Sequence, residues 1–362
     1  MNNQLMLIAG EFATEGKLLN IKPFGDGHIN QTYKVTTEGN APDYILQIKN
    51  KNIFKDVPAM MGNIAKVTAH LKQKIEARGG NPLRETMTII PTRDGKLYKQ
   101  DTEGEYWTMF RFIDDNVSYE VADTPELAYA GGKGIGQFQL MLADLNEPLA
   151  DILPGFHNIR FRFEQWDAVL AKDPVGRKAG LTEEISWVES RRDEMLRFWK
   201  LYETGEIPTR ITHNDTKINN ILFDRNGQVL CVIDLDTVLS STALNDFGDA
   251  IRSYTNTGLE DDENLENVSM NIAIFEAFAK GYLESARHFL YKTELEYLAF
   301  SARYITFEQV LRFLMDYIDG DNYYRIKSPQ HNLVRTRAQY KLLQSIEAQL
   351  NKMNAIVAQY TT

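Results

Sequence analysis

Between Ile211 and Asp236 the chain carries His213, Asp215, Lys217, Asn220, Asp234 and Asp236. Asp215 and Asn220 stand five apart in one polar loop, and Asp234 follows an apolar run that closes a short hairpin. These residue types suit transfer of a phosphoryl group from ATP. One carboxylate orients or deprotonates the acceptor hydroxyl, while further oxygen ligands hold Mg²⁺ against the phosphates. Asp215 and Asn220, with Asp234 brought alongside by the hairpin, supply both needs, and Lys217 is within reach of the transferring phosphate, where it offsets charge. Asp236 either ligates a second metal ion or hydrogen-bonds the loop.

The hairpin that positions Asp234 runs from Ile221 to Phe223, turns at Asp224-Arg225-Asn226-Gly227 and returns through Val229 to Ile233. Before it, from Ile21 to Ile113, short alternating segments predict strands at Thr32 to Thr37, Tyr44 to Ile48, Thr86 to Ile90 and Trp107 to Ile113. A helix from Asn63 to Arg78 interrupts them. After Asp114 the pattern turns helical, with helices expected at Glu126 to Leu142, Glu183 to Leu201, Val268 to Leu283, Glu294 to Asp319 and Thr336 to Val357. The expected fold class is α+β, with a β-rich lobe over residues 1–112 that holds one main helix, and a larger, mostly helical lobe over 113–362. A short hinge near Phe110 to Asp114 joins them.

Two glycines between strands, Gly25 and Gly27, allow a hairpin backbone to approach phosphates closely. Where a kinase lysine is expected on the third strand, after an apolar triplet, this chain has Gln47. Lys49 lies two residues on, on the same strand face, and either substitutes for that lysine or is a surface lysine at a strand end, the latter being expected. The tripeptide Asp246-Phe247-Gly248 spells a kinase metal-binding motif. It follows the polar run Ser240-Ser241-Thr242 and opens a helix, so Asp246 or Asp249 is expected to brace the loop and Asp234 to serve the metal.

Composition bounds the partners. The 362 residues carry a net charge of −10, with 43% hydrophobic and 25% charged residues, as in an ordinary globular protein. That acidity argues against nucleic acid, whose recognition needs clustered Lys and Arg. The single cysteine, Cys231, excludes disulfides within the chain and a cysteine-rich metal site. Met1 to Gly10 lacks the basic start and long apolar core of a secretion signal, and no run approaches the roughly 18–20 apolar residues of a membrane span. A cytoplasmic location with no membrane partner is expected.

The His213-Asn214-Asp215 form of the loop resembles the aminoglycoside phosphotransferase and choline kinase superfamily, which implies a protein-kinase-like bilobal fold. The likeness narrows to the N-acetylhexosamine 1-kinases. It is carried by Gly25-Asp26-Gly27-His28-Ile29-Asn30, by His213 to Lys217 with Asn219 to Leu222, and by Ile233 to Thr237. Asp246 to Asp249 and His331 to Arg337 complete it. The resemblance implies transfer of the ATP γ-phosphate to the anomeric hydroxyl of N-acetylglucosamine or N-acetylgalactosamine; the alternatives are a kinase of another small alcohol, such as homoserine, choline or an aminoglycoside, and a non-catalytic nucleotide-binding protein. The resemblance also implies Asp215 as base, Mg²⁺ on Asn220 and Asp234, and sugar contacts at His28, Asp215, Arg312 and Tyr323. Nucleotide contacts are expected at Gly25, Gly27, Gln47, Arg111 and Ile113. A monomer or weak homodimer is expected. From the residues alone, Arg312 reads first as an ion-pair partner of Glu308 four positions earlier, and Tyr323 as a core filler before a residue stacked on a sugar.

Overall fold

The computed structural model describes residues 2–25 and 29–361. The chain separates into two compact units, neither of them contiguous. The first gathers Met1–Ser118, Asp144–Leu153 and Ile221–Ser240, and the second Tyr119–Ala143, Pro154–Asn220 and Ser241–Thr362.

The first unit is built on a five-stranded antiparallel sheet. Its strands are β1 (Leu18–Pro23), β2 (Gln31–Thr37), β3 (Tyr44–Lys49), β4 (Lys99–Gln100) and β5 (Tyr106–Arg111), in the order β1-β2-β3-β5-β4. Strand alternation puts Tyr44 and Leu46 into a core with Val35, Trp107 and Met109, and helix α1 (Asn2–Gly10) adds Leu5 and Ala9 to it. On the opposite face of β3 lie Gln47 and Lys49. Helix α2 (Val57–Ala77) starts where Asp56 accepts the Ala59 N–H and Pro58 occupies the first turn.

The polar side of α2 ties two distant segments into this unit. The Asn63 amide donates to Ala150 O at 2.9 Å and Val238 O at 3.3 Å, and its carbonyl oxygen accepts the Ala150 N–H at 2.8 Å. His70 and Lys74 both reach Asp144. The expected hairpin forms between Ile221–Phe223 and Val229–Val232. Its turn is held by Asp224, whose carboxylate accepts the N–H groups of Asn226 and Gln228, and Gly227 takes φ 74°. Leu222 and Cys231 of the hairpin pack on Ile113.

Lys49 overturns the expectation of a surface lysine. It is 1% exposed, and its ammonium lies 2.7 and 2.8 Å from the two oxygens of Asp236, which is also buried. Gln47 Oε1 accepts from the same ammonium at 2.7 Å, and Asn30 donates to Asp236 at 2.7 Å. A strand-face position says nothing about what covers that face; here a carboxylate 187 residues away in sequence does. The segment Thr86 to Ile90 is also not a regular strand. Pro82 starts a one-turn helix, α3 (Pro82–Glu85), capped by Asn81, and Pro91 lacks a donor. Only a bridge at Ile89 and bonds such as Ile90 N–H to Met109 O at 2.8 Å join this stretch to β5.

The second unit is helical. It contains α4 (Pro125–Leu142), α5 (Ile159–Lys172), α6 (Thr182–Glu189), α7 (Arg192–Glu203), α8 (Ala243–Tyr254), α9 (Ile272–Ala286), α10 (Lys292–Asp319) and α11 (His331–Thr361). The single helix expected over 183–201 is two. The Trp187 carbonyl is taken by Ser190 Oγ and by the Arg191 guanidinium, which interrupts the backbone ladder there. Helix α8 is buried along nearly its whole length, with Phe247 edge-on to Phe275, Phe278 and Tyr282. Among the described residues no helix is long and apolar enough to cross a membrane.

Helices α4 and α9 meet backbone to backbone. A Cβ on Gly132 would collide with the Phe278 carbonyl, one on Gly136 with the Tyr282 carbonyl, and one on Gly281 with the Tyr129 carbonyl. Gly281→Ala is therefore expected to force the helices apart and lower stability by about 1–3 kcal/mol, read from urea denaturation. Gly62→Ala, with open space around its Cβ, is expected to be neutral or mildly stabilising. In the first unit, Asp236→Ala leaves the Lys49 charge buried and unpaired, and is expected to cost about 3–5 kcal/mol in the same measurement. The double replacement Lys49→Met with Asp236→Leu is expected to recover most of that loss.

Candidate active site

A strand, Arg210–Thr212, leads into the polar loop of the second unit. Asn214 adopts φ 66°, a left-handed conformation that costs a non-glycine residue on the order of 1–3 kcal/mol unless its surroundings enforce it. They do so from three directions. Its side-chain oxygen accepts from Thr212 Oγ1 at 3.0 Å, and its amide donates to Thr212 O at 3.2 Å. Below the turn, Asp246 accepts the backbone N–H groups of His213 at 3.0 Å and Asn214 at 2.7 Å.

Asp246 is fully buried at the start of α8, and burial pushes its carboxyl up from the ordinary range. The nearby His213 ring, the two backbone N–H groups and Gln139 act in the opposite sense. Gln139 donates to Asp246 at 2.7 Å and is itself fixed by the Tyr282 hydroxyl at 2.6 Å. One helical turn on, Asp249 accepts the Thr216 N–H at 2.9 Å and pairs with Arg252 at 3.0 Å. Both carboxylates of the Asp246-Phe247-Gly248-Asp249 segment thus brace the loop.

The loop presents Asp215. Its N–H donates to Nδ1 of His213 at 3.2 Å. One carboxylate oxygen accepts from Asn220 Nδ2 at 3.2 Å, and the other lies 3.3 Å from the Lys217 ammonium. The same Asn220 amide donates to the Asp215 backbone carbonyl at 2.9 Å. The Asp215 side chain is 28% exposed, so a hydroxyl can reach it. Its charge raises the pKa of Lys217 and keeps that side chain cationic. The amide oxygen of Asn220 accepts no hydrogen bond from the described residues.

In the first unit, Asp234 ends the hairpin at φ 58°, ahead of a short 3₁₀ turn, Leu235–Thr237. Asp236 accepts from Lys49 and from Asn30, neither of which belongs to the loop that presents Asp215. Gln47 is turned toward Lys49 and toward Thr32 Oγ1 at 3.2 Å. Gly25 takes φ 72°, and among the described residues nothing crowds the place of a Cβ there. Arg111 closes β5 with its guanidinium 3.9 Å from Glu15, and Ile113 is buried against the hairpin. Gly27 and His28 lie outside the described residues.

On α10, Arg312 does not pair with Glu308. That carboxylate is taken by His157 at 2.6 Å and Arg162 at 3.2 Å. Among the described residues Arg312 has no ion pair. Its guanidinium lies over the rings of Phe156, Tyr323 and Tyr324, 5.4–5.9 Å from their centroids. Tyr323 is 59% exposed and is no core filler. Asp316 fixes the chain there by accepting the Tyr323 and Tyr324 N–H groups at 2.8 and 3.0 Å. His157, Glu308 and Asp316 carry no motif, and no sequence spacing could have nominated them.

Residues 20–291 match the model of a phosphotransferase enzyme family, APH. Among solved structures, the chain is similar to a microcompartment-associated aminopropanol kinase, with TM-score 0.67 and 16% identity, covering 97% of this chain and 98% of that one. A spectinomycin phosphotransferase in complex with ADP and spectinomycin gives TM-score 0.56 at 14% identity, covering 97% and 99%. An ethanolamine kinase from Plasmodium vivax gives 0.54 at 13%, covering 89% and 82%. These likenesses concern the fold. With the family match spanning most of its length, and with that fold, the chain belongs to the phosphotransferase enzyme family, APH.

Proposed function

We propose that this phosphotransferase is an ATP- and Mg²⁺-dependent kinase that phosphorylates the anomeric hydroxyl of N-acetylglucosamine or N-acetylgalactosamine, giving the sugar 1-phosphate. The observation that carries the proposal is the state of Asp215. It is a partly exposed carboxylate, fixed by Asn220 and Lys217 on a loop that two buried carboxylates hold rigid. Such a group aligns an acceptor hydroxyl for in-line attack on the γ-phosphate. An anomeric hydroxyl is more acidic than an ordinary alcohol, so orientation matters more than proton removal.

Asn220 uses its amide N–H groups on Asp215 and leaves a hard oxygen donor, and Asp234 carries a carboxylate. Both fit Mg²⁺, which prefers oxygen ligands. An ion held there would neutralise charge that develops on the phosphates during transfer. Lys217 neutralises further charge beside Asp215. Asp236, whose oxygens are taken by Lys49, is assigned to holding that lysine rather than to the metal. Gly25 and Gly27, Gln47, Arg111 and Ile113 are assigned to the nucleotide side.

Arg312 supports a sugar as acceptor. A guanidinium without a carboxylate partner disfavours cationic acceptors such as choline or an aminoglycoside. The rings of Tyr323, Tyr324 and Phe156 around it suit the apolar face of a pyranose, and its N–H groups suit hydroxyl or carbonyl oxygens. His28 completes the proposed sugar contacts.

ADP release, measured with N-acetylglucosamine, N-acetylgalactosamine, glucose, ethanolamine, choline and kanamycin, is expected to be highest with the N-acetylhexosamines. Activity confined to a cationic acceptor would overturn the sugar assignment and leave the kinase assignment standing. Asp215→Asn is expected to keep nucleotide affinity while turnover falls roughly 10²–10⁴-fold; near-normal turnover would refute the role of Asp215. Asp234→Ala is expected to weaken nucleotide binding in titrations with Mg²⁺ and to leave binding without Mg²⁺ little changed.

A further inference from the structure

His157 belongs to none of the motifs, yet it touches the loop that presents Asp215. It is 5% exposed, adopts φ 54°, and its backbone carbonyl accepts the Tyr304 hydroxyl at 2.8 Å, so its place is fixed independently of its ring. The ring lies against Phe156, 4.3 Å between centroids. Its Nδ1 is 2.6 Å from Glu308 Oε2, and its Nε2 is 3.4 Å from the backbone carbonyl oxygen of Asn214.

Both of those oxygens are acceptors. A backbone carbonyl has no proton to give. Glu308 is also charged: it pairs with the permanently cationic Arg162 guanidinium at 3.2 Å, and its carboxyl is held below the ordinary range although burial opposes this. A neutral imidazole has one donor nitrogen and one acceptor nitrogen, and would set a lone pair against one of the two oxygens. Only a ring protonated on both nitrogens satisfies both.

We infer that His157 is a positioning residue that works as an imidazolium, fixing the Asn214 carbonyl and with it the left-handed turn that aims Asp215. The inference rests on the reading of Asp215 as the acceptor-orienting carboxylate. Asp246 holds the Asn214 N–H and His157 holds its carbonyl, so the residue before Asp215 is gripped at both ends. The charged groups around the ring are Glu308 and Arg312 from α10, Arg162 from α5 and Asp249 from α8. The two carboxylates favour the imidazolium and the two guanidinium groups oppose it. When pH rises and one proton leaves, Glu308 keeps the other, and the longer bond to Asn214 is the one lost. Turnover therefore falls on the alkaline side.

The test uses the full chain. Long-range ¹H–¹⁵N spectra of the six histidines, with His157 assigned by His157→Gln, are expected to show both of its ring nitrogens protonated at about pH 7, where a free histidine is mostly neutral. If that variant does not fold, the signal is assigned by elimination from replacements of the other histidines. In ADP-release assays with N-acetylglucosamine and N-acetylgalactosamine, His157→Gln is expected to lower kcat roughly tenfold with nucleotide KM little changed, and to lose the alkaline fall seen in the parent. Glu308→Gln is expected to move that fall to lower pH. A singly protonated ring at about pH 7, or a His157→Gln enzyme with parental kcat and pH profile, would overturn the inference. Asp215→Asn is assayed alongside. If it stays active, the reading of Asp215 fails whatever His157 does; if it is inactive while His157→Gln is unaffected, only the present inference fails.

Discussion

The second unit depends on a carboxylate that has no access to water. Asp246 is wholly buried, and a buried charge is tolerated only where donors converge on it. Its donors are the two successive peptide N–H groups of a turn that would not otherwise hold its left-handed shape, together with the Gln139 amide. Carboxylate and turn each make the other affordable. Asp249 repeats the arrangement at Thr216 with Arg252 as counter-ion, and Asn220 closes the loop from its far end. Asp215 is thus carried on backbone fixed at nearly every peptide.

The first unit uses the same physics with opposite sign. There the buried charge is an ammonium, Lys49, and the converging groups are the Asp236 carboxylate and the Gln47 carbonyl oxygen. Helix α2 reinforces the hairpin segment through Asn63, which binds the Val238 carbonyl. Lys49 lies two residues beyond position 47, one full strand period, which keeps it on the same sheet face. Gln47 then becomes its neighbour rather than its substitute.

Much of this was legible in the chain itself. The hairpin follows from apolar alternation around an Asp-Arg-Asn-Gly turn, and β2, β3 and β5 follow from period-2 patterning. The long helices α4, α10 and α11 follow from apolar stripes. Bracing by Asp246 was inferable because a polar run and a helix start flank it, which is no context for a strand-end metal ligand. The segment Thr86 to Ile90 misleads because its residues have the composition of a strand, while Pro82 and Pro91 restrict its backbone at both ends. Trp187 to Arg191 misleads because competition of side chains for a helix carbonyl leaves no periodic signature.

By itself the sequence determined the order of Asp215, Asn220 and Asp234 around a hairpin, since that order rests on local spacing and turn chemistry. The tertiary structure alone decided which charges are buried and against what. Lys49 reads as a surface residue until Asp236 covers it, and Arg312 reads as a partner of Glu308 until His157 and Arg162 take that carboxylate. Burial and ion pairing are properties of neighbours brought together from 146 to 187 residues away. No periodicity along the chain encodes them, because the desolvation that sets their energies exists only once the core has closed.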